Sequence, residues 1–143
     1  FEHKNKKITG YVPFKHIVKL NHRVNDWVKV AEQFLNVPYK WGGRDSMGID
    51  CSALIQLSLE TFGINFPRDT TLQILEDYKK ISVNSIKRGS IVFWEGHVGV
   101  MTDKKNFLHS NSFHMQTIIE PFKDVVKRSE ILNKNIISII NII

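Results

Sequence analysis

The chain has 143 residues, of which 42% are hydrophobic and 24% charged, the balance of one ordinary globular domain. Its single cysteine excludes a disulfide scaffold, and its longest apolar run, residues 136–143, is too short to span a membrane. The net charge of +6 would suit an anionic polymer, but the lysines are dispersed and no nucleic-acid-binding motif occurs, so we predict a solvated basic surface and no nucleic-acid partner.

The first twenty residues form a segment of their own. Two short β-type runs lie at residues 10–13 and 16–20, around a proline break. We therefore divide the chain into an N-terminal arm, residues 1–20, and a main domain, residues 21–143. No apolar signal segment follows the charged start, and a first residue other than Met leads us to expect a fragment or processed form of a longer protein.

Hydrophobic spacing and N-cap residues predict three helices in the first part of the main domain. The first has apolar residues recurring on one face, whereas the second is apolar nearly all round and should lie in the core, closed by Gly63. The predicted helices run from Asn25 or Asp26 to about Asn36, from Cys51 to about Phe62, and from Asp69 or Thr70 to about Tyr78.

The rest of the chain predicts an antiparallel sheet of about five strands. Turn signals separate short apolar runs, and the final run is typical of a central strand. Residues 122–129 are expected to be irregular or briefly helical. The predicted strands are 90–94, 97–102, 107–110, 115–120 and 136–143. The predicted fold class is therefore α+β, with N-terminal helices packed on the sheet.

Residues 38–55 contain the candidate nucleophile. They lead from a loop rich in glycine and aromatic residues into the predicted core helix. Asp50 is a good N-cap, which leaves Cys51 at the first helical position. The positive end of the helix dipole should lower the pKa of this thiol, and the thiolate is its nucleophilic form. The alternative is a small buried hydrophobe, as most lone cysteines are.

The loop before the core helix has its own predicted features. Trp41 is expected to pack in the protein. Three loop glycines indicate special backbone angles or close approaches: Gly42, Gly43 and Gly48.

Two histidines can complete a catalytic set with this cysteine. His97 lies at the head of a predicted strand, and His109 lies in the next one. A catalytic Cys needs a base, and the base needs a polar group that fixes its ring, so Cys51, His97 and His109 supply the three roles. His109 can serve only if it points to the same side of the sheet as His97. Structural histidines are the alternative, and a metal site that adds His114 matches no zinc spacing.

Three sequence blocks together resemble a known family. They are Tyr39-x-Trp41-Gly42-Gly43 through Gly48-Ile49-Asp50-Cys51-Ser52, then Gly96-His97-Val98-Gly99-Val100, and then His109. From about residue 24 to residue 122, the chain is similar to the NlpC/P60 peptidases, papain-like cysteine peptidases that cut bacterial peptidoglycan stem peptides. The resemblance implies a papain-like fold and a catalytic domain over residues 21–143. The N-terminal arm resembles the tail of a bacterial SH3-like domain, and the alternative is an arm that packs on the catalytic domain.

The resemblance implies acyl transfer through a Cys-His-His triad. His97 would deprotonate Cys51, and the sulfur would attack an amide carbonyl to form a thioacyl enzyme that water then releases. His109 would hold the His97 ring, and the backbone N–H of Cys51 would stabilise the oxyanion. No cofactor and no metal are implied.

The implied substrate is the γ-D-glutamyl–diaminopimelate (or lysine) bond of murein peptides. By resemblance, Tyr39, Asp50 and Ser52 would bind the free amino terminus of such a peptide. Arg68 would either meet a substrate carboxylate or form a structural ion pair. The partner is therefore peptidoglycan or its fragments, and the place of action is the bacterial envelope, the exterior, or the cytoplasm if the enzyme recycles murein peptides.

Other functions stay open at this point. One is a related cysteine enzyme, such as a CHAP-type amidase or an acyltransferase. Another is a non-catalytic cell-wall-binding module, against which the complete set of Cys51, His97 and His109 argues.

Overall fold

The structure is a computed structural model that describes residues 2–3, 6–7, 9–14, 17–19 and 21–142. The helices are α1 (Trp27–Glu32), α2 (Cys51–Phe62), α3 (Thr70–Gln73) and α4 (Phe122–Ile131). The strands are β1 (Glu2–His3), β2 (Lys6–Lys7), β3 (Arg44–Asp45), β4 (Gly48–Ile49), β5 (Lys79–Lys80), β6 (Ser90–Trp94), β7 (His97–Met101), β8 (Asn106–Asn111), β9 (Gln116–Pro121) and β10 (Ser138–Asn141).

Six of these strands form one antiparallel sheet in the order β5-β10-β6-β7-β8-β9. The last strand, β10, lies inside the sheet between β5 and β6, as its apolar run indicates. Within this sheet, the sequence did not predict β5. This strand is a pair of exposed lysines at the sheet edge and has no hydrophobic alternation that could reveal it. The α+β prediction is confirmed, with six strands in the sheet instead of about five.

Helix α2 lies against β7 and β8 and forms the centre of the hydrophobic core. Leu54 and Leu59 on this helix are fully buried. Gly63 follows the helix with a φ of +97°, the left-handed conformation that closes many helices. The bounds and the burial of this element are therefore as predicted. None of the helices described by the structure is long and apolar enough to cross a membrane.

Two predicted helices are shorter than their patterns indicate. Helix α1 starts as predicted, since the Asp26 carboxylate accepts a hydrogen bond from the Val28 N–H at 3.0 Å. It gives way to turns before Asn36, whose φ of +66° is not helical. Helix α3 has a single turn, and the buried amide of Gln73 instead donates to two backbone carbonyl groups at 2.9 and 2.8 Å. Tertiary hydrogen bonds hold this segment where local propensity predicted a longer helix.

Helix α4 is longer than the brief helix or irregular segment that the sequence predicts. It spans ten residues and buries Phe122 and Val125. The ring of Phe122 packs beside those of Trp94 and Phe107, with centroids 6.2 and 5.6 Å away. These two apolar residues, three positions apart, are enough to hold the helix against the aromatic rings of the sheet. In a charged segment, however, two apolar residues are only a weak sequence signal for a helix.

The predicted β-type runs of the N-terminal arm are not strands where the structure describes them. Residues 9–14 and 17–19 pair with no strand, and their side chains are exposed, including Tyr11 and Phe14. The alternative of an arm that packs on the catalytic domain stays a prediction. Residues 16 and 20 of the second run lie outside the described residues. The boundary near residue 20 and the likeness to an SH3-like tail stay predictions.

Candidate active site

The glycine-rich loop places Cys51 at the first position of α2. The Asp50 carboxylate caps this helix by accepting a backbone N–H at 2.8 Å, and it also accepts the N–H of Gly42 at 2.9 Å. Gly42 has a φ of +75°, and a Cβ on Gly43 would lie 2.3 Å from the carbonyl oxygen of Gly48. Special angles and close approaches therefore account for these glycines, as predicted.

The thiol of Cys51 is largely enclosed, with 7% of the residue exposed. Its sulfur lies 3.9 Å from Thr70 Oγ1, and the backbone N–H of Val98 also faces it. Burial disfavours the thiolate and raises the pKa of Cys51, and the Val98 and Thr70 groups oppose this only in part. The predicted lowering of the pKa is wrong, because a helix dipole contributes about 0.3–1 kcal/mol and burial outweighs it here.

The two predicted histidines meet on one side of the sheet. His97 begins β7 and His109 lies on the neighbouring strand β8. His97 Nε2 is 2.8 Å from His109 Nδ1, and the planes of the two rings are inclined at 64°. The side chain of His109 is almost fully buried, so its partner atoms are fixed by the fold. The geometry required for one histidine to orient the other is present.

A carboxylate that the sequence analysis missed extends this pair. His109 Nε2 is 2.8 Å from Oε1 of Glu120 on β9. Arg128 on α4 in turn donates to both oxygens of Glu120, at 2.5 and 3.1 Å. The pairing of β8 with β9 sets Ile118 opposite His109, which puts Glu120 two residues along on the same face. Only a correct strand register could have pointed to Glu120 from the sequence.

Burial and nearby positive charges keep both imidazoles neutral. Burial is the main cause that lowers the pKa of His97 to about 3, and His109, Lys134 and Arg128 act in the same direction. Burial also lowers the pKa of His109, although Glu120 opposes it. Burial acts to raise the pKa of Glu120, but the hydrogen bonds from His109 and Arg128 prevail and lower it to about 2. At neutral pH, Glu120 is therefore ionised beside two neutral rings.

Arg68 forms an ion pair with Asp50. Its Nη1 and Nη2 atoms donate to Oδ1 and Oδ2 of Asp50 at 2.9 and 2.6 Å, and Nη1 also donates to Ser52 Oγ at 2.9 Å. Burial acts to raise the pKa of Asp50, but Arg68 and two backbone N–H groups lower it overall. Of the two interpretations of Arg68, the structure has the ion pair, which neutralises the charge of Asp50.

Two adjoining cavities open around these residues. One of about 480 Å³ contains the nucleophile candidate, and the other, of about 290 Å³, contains the two histidines. The first is lined by residues that include Asp50, Cys51, Ser52, Arg68, Asp69 and Thr70. The second is lined by residues that include His97, His109, Asn111, Phe113, Arg128 and Lys134. Tyr39, Trp41 and Gly96 line both, so the cavities are two parts of one cleft.

Trp41 lies at the rim of this cleft instead of packing in the protein. It is 84% exposed, so the expectation that it packs is wrong. The loop glycines around it let the backbone turn outward, and the large ring then faces the cleft. Tyr39 lines both cavities, where the family resemblance expects a substrate-contacting tyrosine. Within the described residues, no group of three or more His, Cys, Asp or Glu side chains is placed to hold a metal ion.

Comparison with known proteins identifies the family of this domain. The model of the NlpC/P60 family matches residues 36–133, which contain the loop, α2 and the sheet up to β9. The chain belongs to the NlpC/P60 family.

Relatives of this NlpC/P60 domain include a probable endopeptidase and a dipeptidyl-peptidase. It is 36% identical over 92 residues to a probable endopeptidase NlpC homologue of Haemophilus influenzae, covering 62% of this chain and 50% of that protein. It is 31% identical over 93 residues to the γ-D-glutamyl-L-lysine dipeptidyl-peptidase of Bacillus subtilis, covering 59% of this chain and 31% of the relative. The chain thus spans between about a third and a half of the length of these curated relatives.

Solved structures share the fold. The peptidoglycan hydrolase RipB from Mycobacterium tuberculosis superposes with a TM-score of 0.68 at 22% identity, covering 96% of this chain and 74% of RipB. The NlpC/P60 domain of the peptidoglycan hydrolase SagA gives a TM-score of 0.66 at 23% identity, covering 81% of this chain and 96% of that domain. At these identities the likeness establishes the fold alone.

Proposed function

We propose that this NlpC/P60 domain is a cysteine peptidase that hydrolyses peptidoglycan stem peptides. Cys51 acts as the nucleophile, His97 as the base, and His109 as the group that holds the His97 ring. The observation that carries the proposal is a single cleft in which the Cys51 cavity adjoins the cavity of the two hydrogen-bonded imidazoles. The names of the relatives, an endopeptidase and a dipeptidyl-peptidase, support the same reaction class.

The reaction starts from an uncharged pair, because burial favours the thiol form of Cys51 and the neutral form of His97. As the sulfur attacks the amide carbonyl, the thiol proton passes to His97. The imidazolium then gives this proton to the leaving amine, and the C–N bond breaks to leave a thioacyl enzyme. Water, deprotonated by His97, attacks the thioester, and the carboxylate product and the thiol are restored.

The start of α2 offers a donor for the oxyanion. The backbone N–H of Cys51 is at the first helical position, where no carbonyl group lies four residues back within the helix. Across residues 21–142 the structure gives this N–H no hydrogen-bond partner. A donor at the helix N-terminus is available to the tetrahedral intermediate without any rearrangement.

We place the γ-D-glutamyl side of the substrate in the Cys51 cavity and the diamino acid in the His97 cavity. The free amino terminus would meet Tyr39, Ser52 and the carboxylates. Arg68 already neutralises Asp50, so Asp69 supplies the remaining negative charge of that cavity. In the part of the chain that the structure describes, Asp69 forms no ion pair.

The test is mass spectrometry of the products from L-Ala-γ-D-Glu-diaminopimelate peptides, with Cys51→Ala as the inactive control. We expect release of L-Ala-D-Glu and of the diamino acid portion by the wild-type protein only. Cleavage of the bond between the sugar lactyl group and L-Ala in muropeptides would instead indicate an amidase. Transfer of the acyl group to an added amine without hydrolysis would indicate an acyltransferase, and binding to wall material without turnover a binding module.

A further inference from the structure

The hydrogen-bonded chain from His97 ends on an acceptor that carries no proton. His97 Nε2 meets His109 Nδ1, and His109 Nε2 meets Oε1 of Glu120, each at 2.8 Å. An ionised carboxylate can only accept hydrogen bonds, whereas each neutral imidazole has one donor and one acceptor nitrogen. Fixing the proton at one end of such a chain therefore fixes it along the whole chain.

The proton positions follow from Glu120 step by step. Because Glu120 accepts, His109 must carry its proton on Nε2. The Nδ1 atom of neutral His109 then has only a lone pair, so His97 must donate to it from Nε2. This leaves the lone pair of His97 on Nδ1, for which the structure gives no hydrogen-bond partner within residues 21–142. The acceptor nitrogen of His97 is thus the one left for the thiol proton.

The side-chain amide of Asn111 competes with Glu120 for His109 Nε2, but it does not set the tautomer of His109. Asn111 Nδ2 lies 3.1 Å from His109 Nε2, and an amide N–H would favour a lone pair there. A lone pair at Nε2 would face the Glu120 carboxylate at the shorter distance of 2.8 Å. Charge-assisted hydrogen bonds are shorter and about twice as strong as neutral ones, so the carboxylate prevails.

The carboxylate is itself held in place from the side away from His97. Arg128 binds both of its oxygens, and the guanidinium stacks over the ring of Phe113, 4.4 Å from its centroid. His114 Nε2 adds a contact to Oε1 at 3.2 Å. The side chain of Glu120 is 10% exposed and that of Arg128 is 23% exposed, so water has limited access to the pair. Bidentate binding by arginine gives the carboxylate a single orientation.

We propose that Glu120 is a positioning residue that sets the tautomers of His109 and His97, with Arg128 holding the carboxylate in place. The proposal rests on the proposed function, because it assigns the His97 Nδ1 lone pair to the proton of Cys51. Glu120 lines neither of the two cavities of the cleft. It acts through two rings on the protonation site of the base.

The direct test is the ¹⁵N spectrum of the imidazoles in protein labelled at histidine, recorded near neutral pH. Nitrogens that carry a proton and nitrogens that carry a lone pair differ in chemical shift, and His97→Gln and His109→Gln variants assign the signals. We expect the Nε2–H tautomer for both His97 and His109. A proton on Nδ1 of His97 in the wild-type protein overturns the proposal.

Glu120→Leu makes the test sharper, because it removes the acceptor that faces His109. The Asn111 amide at 3.1 Å is then the remaining polar partner of His109 Nε2, and its N–H favours a lone pair on that atom. Both tautomers should then reverse and put a proton on the His97 nitrogen that must accept one. We expect kcat to fall roughly 10²- to 10⁴-fold with little change in KM, since a wrong tautomer costs up to about 10⁴ in triads of this kind. Unchanged tautomers and kcat in the folded variant overturn the proposal.

A matched control and a rescue separate positioning from stability. Glu32→Leu removes the carboxylate of a comparable ion pair, 2.7 Å from Arg88 and outside the cleft, and should leave kcat and the tautomers unchanged. In Glu120→Gln, the amide oxygen can take the place of Oε1, which faces both His109 and Arg128. We therefore expect the wild-type tautomers in this variant and a kcat at least about tenfold above that of Glu120→Leu. Reversed tautomers in a folded Glu120→Gln variant count against the proposal. If Glu120→Leu does not fold, the wild-type spectrum and Glu120→Asp, which keeps the charge and should keep the tautomers, decide.

Failure of this proposal differs from failure of the proposed function. If the wild-type protein cleaves stem peptides and Glu120→Leu keeps its kcat, the tautomer proposal is wrong and the peptidase stands. If the tautomers reverse as expected but the wild-type protein cleaves no stem peptide, the positioning role stands and the substrate assignment is wrong.

Discussion

Burial keeps both Cys51 and His97 in their uncharged forms, although in each case a second interaction favours the charged form. The helix N-terminus favours a thiolate at Cys51, and the distant carboxylate of Glu120 favours an imidazolium at His97. Desolvation is the larger effect in both cases. Before substrate binds, the thiol and the imidazole are therefore both uncharged. In the proposed reaction, charge separates only as the sulfur attacks a carbonyl group.

The charge state of Cys51 predicts how its alkylation depends on pH. Because burial raises the pKa of this thiol above its ordinary value of 9.0, the thiolate fraction should climb throughout the neutral range. We expect the rate of reaction with iodoacetamide to rise about tenfold per unit between about pH 6 and pH 9, without a plateau. Cys51 is the only cysteine, so the mass of the intact protein reports the reaction. A plateau that begins below pH 7 would indicate a thiolate–imidazolium pair and contradict this prediction.

At the scale of elements, the site is the contact between one buried helix and two neighbouring strands. Helix α2 brings Cys51, and β7 and β8 bring the two imidazoles. Strand β7 can approach its neighbour's side chains only because Gly99 leaves space. A Cβ there would lie 2.4 Å from Phe107 Cζ and 2.8 Å from His109 Cβ. The absence of a side chain at Gly99 therefore leaves the space that Phe107 and the Cβ of His109 occupy.

Gly99→Ala should destabilise the domain and displace His109. Phe107 is fully buried and cannot move aside freely, so we expect a loss of about 1–3 kcal/mol in the free energy of unfolding, measured by denaturant titration. Peptidase activity should fall as well, because the 2.8 Å contact between the rings would be disturbed. Gly10→Ala is the matched control, since a Cβ at that position meets nothing within 4 Å. Equal stability of the two variants would refute the steric argument.

At the scale of the whole molecule, the cleft differs in charge between its two ends. The Cys51 cavity contains Asp69, whose charge has no ion-pair partner in the described chain, beside the neutralised pair of Asp50 and Arg68. The His97 cavity contains Arg128, paired with Glu120, and Lys134, which forms no ion pair with any described residue. A substrate with an ammonium group on its acyl side and a carboxylate on its leaving side matches this polarity.

Asp69→Asn should weaken binding of peptides with a free amino terminus. We expect KM for L-Ala-γ-D-Glu-diaminopimelate to rise roughly fivefold, the effect of about 1 kcal/mol from an exposed charge pair, with kcat little changed. The N-acetylated peptide lacks the ammonium group and serves as the control substrate. An equal change in KM for both peptides would show that Asp69 does not bind the amino terminus.

Lys134→Gln should reduce the preference for diaminopimelate over lysine. These residues differ by one carboxylate, and the cation near His97 favours the residue that carries it. We expect the wild-type domain to have the higher kcat/KM on the diaminopimelate peptide, and the variant to reduce the ratio roughly threefold. High salt should reduce the same ratio, because an exposed charge is screened. A wild-type preference for lysine would contradict this placement of the leaving group.

The parts of this molecule that local chemistry governs could be predicted from the sequence. Helix α2 carries its own N-cap and its own left-handed closing residue, Gly63, and it is apolar enough to be a core element without knowledge of its partners. The hairpins of the sheet follow from turn residues between short apolar runs. Cys51, His97 and His109 could be proposed together because a lone cysteine at a helix start is followed by histidines in two successive predicted strands.

Only the tertiary structure decided the features that depend on contacts between distant segments. Helix α4 exists because the sheet presents aromatic rings to Phe122, and Glu120 reaches His109 only through the register of β8 and β9. The pKa of Cys51 rises because the fold encloses the thiol, and a helix dipole read from the sequence says nothing about enclosure. Periodicity and caps act over a few residues, whereas desolvation and cross-strand hydrogen bonds arise only after the chain has closed on itself.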